Sequence, residues 1–406
     1  MPTPSLLIVP ARFKTGKLYS QIPTSGAGDF TVTRNTAARR FDSAGLVASV
    51  ASGIPRLDYY TSGGVTGCPA LLVEPAATNA LSYSEEFDNA AWGKSAMTVS
   101  TGTTALFTAP DGTTNADKII ATSGNVAHNI NRSGIASAAY TFSVFAKAGE
   151  ESVISLWLRG ASVRAEFNLV SGTVSNITTT SARIENYGNG WYRCTVYDST
   201  AGTTAHVYGR GGAAYAGNGS DGFYLWGAQL ETGSVATSYI PTTTGTGSRS
   251  ADVVSVSGAV SGAIGQTEGT IYAEVDIRTF ANVGFIASIS DGTASNRVDI
   301  YKFTDSKIYF DRISSTQSAL TSVGSNALTA GIFKVAVAYK SGDTTMYING
   351  TQVGATQTQT FTFSSLTKIN IGSSRSDGQA FNDRIRAAAI YPTRLTNAEL
   401  ATLTTP

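Results

Sequence analysis

The sequence predicts an all-β protein: an N-terminal extended arm followed by two antiparallel β-sandwich (jelly-roll) domains. Composition gives the first reason. The chain holds 42 glycines, and only 14% of its 406 residues are charged, against about 25% in ordinary soluble domains. Such a hydroxyl- and glycine-rich surface suits exposed antiparallel sheet, and the Leu/Glu/Lys runs that build helices are nearly absent. The second reason is periodicity, since segments such as Tyr140–Ala148 and Glu268–Asp276 read as strands bounded by Gly, Ser, Asn and Asp turns. The third is that this pattern stops at Thr242–Arg249 (TTTGTGSR), a run of small residues with little to bury, and restarts after Ala251. The implied division is 1–78, 79–250 and 251–406.

Residues 1–30 are unlike the rest. SLLIVPARFKTGKLYSQIP mixes apolar residues with Pro10 and Pro23, which disfavours helix and points to an extended arm. Such an arm cannot bury Leu6, Leu7, Ile8, Val9 and Phe13 alone, so these residues are expected to attach it to a partner or a neighbouring copy, or to cap the chain's own sandwich. Short β-prone pieces follow to about Tyr60, and Val65–Pro75 reads as a connector. In the first sandwich, strands are expected near Tyr140–Ala148, Val153–Arg159, Arg164–Leu169, Trp191–Asp198, Ala205–Gly209 and Gly222–Leu230. In the second they are expected at Glu268–Asp276, Gly284–Ser290, Arg297–Phe303, Lys307–Asp311, Gly331–Lys340, Thr345–Asn349 and Lys368–Ile371. Asn349-Gly350 is a type I′ hairpin signal, and Thr396 with Glu399 has capping-box spacing for a short closing helix.

Charge and cysteine usage exclude several functions. Lys plus Arg (29) nearly cancels Asp plus Glu (28), and RNTAARR at Arg34–Arg40 lacks interleaved aromatics, so it reads as a solvated turn and nucleic acid is not an expected partner. No apolar run is long enough to span a bilayer, and Ser5–Val9 is too short for a secretory leader. Cys68 and Cys194 are too few for a disulfide framework and read as buried free thiols.

Several words in the first sandwich occur together in a particular order: Asn79–Lys94 (NALSYSEEFDNAAWGK), PDGTTNADK, YTFSVFAKAG, NGWYRCTV and FYLWGAQLETGSVATSYIP. With the lead-in RNTAARRFDSAGLVASVASGIPRLDY, they resemble a module of bacteriophage virion proteins (tail fibres, head fibres and spikes) built like a carbohydrate-binding sandwich. The closing segment NIGSSRSDGQAFNDRIRAAAIYPTRLTNAEL resembles the end of concanavalin A-like, laminin-G-type jelly rolls, a likeness extending back to about Ala251. The resemblance implies a virion fibre or spike subunit, homotrimeric as phage fibres commonly are. It would be anchored to capsid or tail protein by its N-terminus and display glycan-binding domains. A capsid-mounted fibre is preferred over a tail fibre, since no long coiled-coil or β-helical shaft separates anchor from head.

Catalytic chemistry finds little support in the residues. The two histidines, His128 and His206, both lie in strand-like contexts without a nucleophile elbow, and read as satisfied sheet residues. Concanavalin A-like glucanases carry Glu-x-Asp-x-x-Glu; here Glu274-Val275-Asp276 is followed by Ile277, Arg278 and Thr279, so the third acid is missing. Laminin-G-type domains also imply a Ca²⁺ option through Asp291, Asp305, Asp377 and Asp383, although turn use explains the same residues. Sugar binding requires aromatic faces. Trp191 and Trp226 read as core and Trp157 is compatible with either face of its strand; Tyr215 in the loop Gly209–Gly222, Tyr59, Tyr60 and Trp157 are the candidate glycan contacts. The expected function is non-enzymatic adhesion; the rivals are a virion polysaccharide depolymerase and a structural adaptor that binds only other virion subunits.

Overall fold

The computed structural model describes residues 2–62, 65–100, 107–159, 163–258, 260, 262–316, 321–363 and 365–406. Its described residues are all-β apart from a 3-10 turn at Arg210–Gly212 and one helix, Asn397–Thr404. That helix is capped as its sequence predicts: the Thr396 side chain accepts from the Glu399 backbone N–H, and the Glu399 carboxylate accepts from that of Thr396. Asn349 and Gly350 take the positive φ values, 48° and 81°, that a type I′ turn demands. No helix among the described residues is long and apolar enough to cross a membrane.

Two sheets form the C-terminal jelly roll. One runs in the order Thr351–Gln357, Thr344–Ile348, Gly331–Lys340, Glu268–Ile277, Asp383–Tyr391, Ala70–Val73, Leu57–Asp58. The other runs Phe13–Lys14, Lys17–Leu18, Phe30–Thr33, Val253–Ser257, Lys368–Ile371, Gly284–Ser290, Arg297–Lys302, Ile308–Ile313, Thr321–Gly324. Both sheets therefore recruit strands from the N-terminal segment. Leu6–Ile8 lies antiparallel to Asp383–Tyr391 (Leu6 opposite Ile390), and Ala70–Val73 occupies the remaining length of the same strand edge (Leu71 opposite Ile385).

This corrects the reading of residues 1–30 as an arm without a core. Alternation along Leu6–Ile8 sends Leu6 and Ile8 into the jelly-roll interior at 0% and 1% exposure, with Leu18, Phe30 and Val32 beside them. Leu7 packs partly buried on the opposite face, near Tyr391 and Leu400, while Val9 and Phe13 stay exposed. Leu6, Ile8 and in part Leu7 find their burial within the chain's own jelly roll, the last of the expected alternatives. Arg34 is likewise no solvated turn residue: it is buried and ion-paired to Asp252 at 2.9 Å.

The first sandwich is consequently an insertion between two strands of the jelly roll, Ala70–Val73 and Val253–Ser257. It consists of two six-stranded sheets closed over Phe142, Val144, Leu156, Phe167, Cys194, Val207 and Leu225. Its entry and exit pair as a short ribbon, Ala77–Asn79 with Gly247–Arg249. At this neck Arg56 is fully buried between Glu74 (2.7 Å) and Asp252, and Arg249 approaches Glu74 at 3.4 Å. Burial disfavours the Glu74 carboxylate, but Arg56 and Arg249 outweigh it and hold the group far below the ordinary range. Cys194 is buried as expected; Cys68 is exposed, and both are free thiols.

Candidate functional site

An array of polar and aromatic residues lies on the outward face of one sheet of the inserted sandwich. Along Ala205–Gly209 the burial alternates, so Ala205 and Val207 enter the core and His206 and Tyr208 face outward. The same period places Asn129 and Asn131, Ser155 and Trp157, and Arg164 and Glu166 on that face of their strands. Register aligns them in two rows: Asn131, His206, Trp157 and Arg164 in one, Asn129, Tyr208, Ser155 and Glu166 in the other.

Aromatic contacts join the rows. The Trp157 and Tyr208 rings stack with centroids 4.0 Å apart, His206 lies nearly parallel to Tyr208 at 5.7 Å, and the Arg164 guanidinium covers Trp157 at 5.2 Å. The Trp157 indole N–H donates to Ser155 Oγ at 2.7 Å, which fixes the ring. A roof then closes over it. Gly212, at φ 83°, sits so close that a Cβ there would lie 2.3 Å from Trp157 Cζ2, and the tryptophan is only 6% exposed.

What stays open is a groove of about 470 Å³ bounded by Arg159, Ala201, Gly202, Thr203, Thr204 and His206. Asp198 anchors the Arg159 guanidinium at 2.9 and 3.1 Å, while about a third of that side chain remains accessible. The arginine stem crosses Gly202, where a Cβ would stand 2.3 Å from Arg159 Cγ, so the glycine is what lets the wall form. Burial lowers the basicity of His206, favouring the neutral ring at pH 7, and its Nδ1 has no hydrogen-bond partner. The groove thus offers an imidazole, a guanidinium and two threonine side chains. It can accommodate a polyhydroxylated ligand held by hydrogen bonds.

The sequence-predicted residues do not converge here. Trp157 lies on the outward face of its sheet but is covered by the Gly212 turn and does not line the groove. Tyr215 is a half-buried brace rather than an exposed loop aromatic: its ring packs on His128 and under Arg210, both at 4.4 Å, and its hydroxyl is buried without a partner. Tyr59 and Tyr60 are half-buried elsewhere, beside the jelly-roll core; Arg40 lies over Tyr59 and Arg384 over Tyr60 at 4.2 Å. Trp191 and Trp226 are core residues as expected, and Trp92 is buried too. His128 is buried with its ring nitrogens 2.6 and 3.0 Å from the carbonyl oxygens of Ala96 and Tyr215. His206 and Tyr208 were legible as strand residues in TTAHVYG, but one sequence does not say which face of a sheet meets a groove.

Carboxylates proposed for other chemistry are engaged individually. Glu274 pairs with Arg386 at 3.0 Å and Asp276 with Arg384 at 3.6 Å. Asp291 caps a turn at Thr293, Asp305 accepts from Tyr309, Asp377 pairs with Lys368, and Asp383 is buried between Lys302 and Arg278. Among the described residues no group of three or more His, Cys, Asp or Glu is placed to hold a metal ion.

Residues 248–401 match the family described as the concanavalin A-like lectin/glucanases superfamily, of laminin G type. Among solved structures, the chain is similar to the CBM40 of the Ruminococcus gnavus IT-sialidase bound to α2,3-sialyllactose, at 15% identity and a TM-score of 0.33 over 36% of this chain and 88% of that one. It is also similar to a leech intramolecular trans-sialidase (17%, TM-score 0.30, 34% and 23% of the two chains). A Limulus polyphemus SAP-like pentraxin matches at 16%, TM-score 0.26, over 33% and 68%. No curated protein matches the chain.

Proposed function

We propose that this chain is a non-enzymatic glycan-binding protein of a bacteriophage particle surface, a fibre or spike subunit. The observation that carries the binding reading is the groove at His206. It is lined by the hydrogen-bonding side chains of Arg159, Thr203, Thr204 and His206, with no carboxylate pair among its lining residues of the kind hydrolysis needs. The lectin/glucanase family match over residues 248–401 independently supports carbohydrate recognition by the jelly roll. The particle assignment rests on the ordered words from Asn79–Lys94 to Phe223–Pro241, which resemble virion fibre modules. A homotrimer presenting several such grooves turns weak single-site affinity into useful avidity, and its contacts to capsid or tail protein use surface other than the buried Leu6 and Ile8.

A glycan array followed by calorimetry on the best ligand tests the binding. Replacing His206 or Tyr208 with Ala should weaken it roughly tenfold, about 1.4 kcal/mol, without changing the fold. Affinity unaltered by both substitutions rejects the groove. Antibody-labelled electron microscopy of phage particles tests the location, and light scattering that shows only monomer at high concentration rejects the trimer.

A further inference from the structure

The other sheet of the inserted sandwich carries a second row, of different chemistry. Register places Lys118, Tyr224, Lys147 and Trp191 side by side on four adjacent strands, so two ammonium groups alternate with two aromatic rings. Over this row opens a cleft of about 450 Å³. Its walls come from Phe107, Thr108 and Ala109 on one side, Asn189 on another, and Leu46 from the N-terminal segment. Phe107 packs on Tyr224 with centroids 4.4 Å apart, and the buried Trp191 is held by an indole N–H donated to the Thr108 carbonyl at 2.9 Å.

The two lysines differ in one decisive respect. Lys118 is committed, with its ammonium 2.8 Å from Glu150 and 3.1 Å from the Ser220 carbonyl. Lys147 has no ion pair among the described residues, although its side chain lies half-buried against Gly190 in the cleft wall. An unneutralised cation between aromatic walls selects for an anion carried on an apolar framework. A bare phosphate would find one ammonium and little else. A pyranose bearing a carboxylate fits every part: the carboxylate at Lys147, the C–H face of the ring on Phe107 and Tyr224, and hydroxyls at the Asn189 amide and Thr108 hydroxyl.

We propose that this cleft binds a carboxylated sugar unit of an acidic glycan. Uronic and sialic acids share that chemistry. The site is separate from the His206 groove, and the two are tested by different substitutions. The experiment is titration calorimetry of the full chain with a glucuronate-containing tetrasaccharide, sialyllactose and a neutral tetrasaccharide, repeated for Lys147→Gln and for His206→Ala. One acidic ligand should bind at least tenfold more tightly than the neutral one. Lys147→Gln should abolish that preference and the salt dependence of binding while leaving the melting temperature unchanged, and Lys147→Arg should restore part of it. Whichever acidic ligand shows the preference identifies the sugar class. The proposal is overturned by equal affinity for acidic and neutral ligands, by no binding to any of them, or by a preference that survives Lys147→Gln and disappears with His206→Ala.

Discussion

Removing residues 1–30 is the perturbation that most directly tests the architecture. An arm that merely anchored the protein would come away without harm to either sandwich; strands of the jelly roll cannot. The deletion takes out Leu6, Ile8, Leu18 and Phe30, all at 0 or 1% exposure, and bares the edges of Asp383–Tyr391 and Val253–Ser257. Burial of each such side chain contributes about 1.5–3 kcal/mol, so the four together are worth roughly 6–12 kcal/mol. That matches the whole stability of an ordinary domain, about 5–15 kcal/mol. Urea unfolding followed by tryptophan fluorescence and circular dichroism is the assay, because all four tryptophans lie in the insertion and report it separately. The truncated chain should lose the jelly-roll transition and keep the tryptophan transition. Since a truncation can fail for trivial reasons, Leu6→Ala in the full chain provides the graded version and should cost about 2–5 kcal/mol. Unchanged midpoints for both variants would refute the reasoning.

Four further outcomes follow from buried charges. Asp252→Ala leaves Arg34 and Arg56 buried without that carboxylate and should cost about 3–5 kcal/mol by denaturant unfolding. Glu74 is depressed in the folded state, so its contribution is present above the ordinary carboxylate range and is lost as pH falls below about 4; Glu74→Gln should flatten that acid limb. Asp117 is shifted the other way. Burial, then Asp88 and Glu86, push it up to about 7 although it accepts the Phe87 backbone N–H, so the stability it contributes is full below about 4 and declines as pH rises through 7. Asp117→Asn should therefore raise the melting temperature at pH 8 relative to wild type, by the equivalent of a few kcal/mol. Finally, Glu274→Gln and Asp276→Asn should leave reducing-end release from any bound glycan at the wild-type background, since each carboxylate is matched to an arginine; turnover lost in either variant makes the protein a depolymerase.

Strand positions were legible because their signal is local. Tyr140–Ala148, Gly284–Ser290, Gly331–Lys340 and Lys368–Ile371 form with the bounds expected, each a β-prone run closed off by turn residues and buried along most of its length. The insertion was not legible, since the pairing of Leu6 with Ile390 spans nearly the whole chain and four apolar residues beside a proline look the same whether their partner is another protein or a distant strand. Local reading also misplaced the aromatics. Trp157 and Tyr208 stack because their strands are neighbours, and the Gly212 turn, which continues the strand that carries Tyr208, folds back to cover Trp157.

The same long-range assembly links the binding surfaces to the jelly roll. The hairpin Ala38–Phe41 with Val47–Val50 belongs to the N-terminal segment, yet Val47 is buried with Phe145, Trp226 and Tyr239 of the insertion, and its N–H donates to the Pro110 carbonyl at 3.0 Å. Leu46, at the turn of that hairpin, is a wall of the acidic-sugar cleft. The cleft is therefore composite: the insertion supplies the cation and the rings, and the segment that threads the jelly roll closes it. Arg56, buried against both Glu74 and Asp252 where the chain leaves and re-enters the jelly roll, holds these parts in register. Loosening that neck should widen the cleft before it unfolds either sandwich. The Asp252→Ala protein, examined below its melting temperature, should thus bind the acidic ligand more weakly while the His206 groove keeps its affinity. Equal losses at both sites, or none at either, would show that the neck serves stability alone.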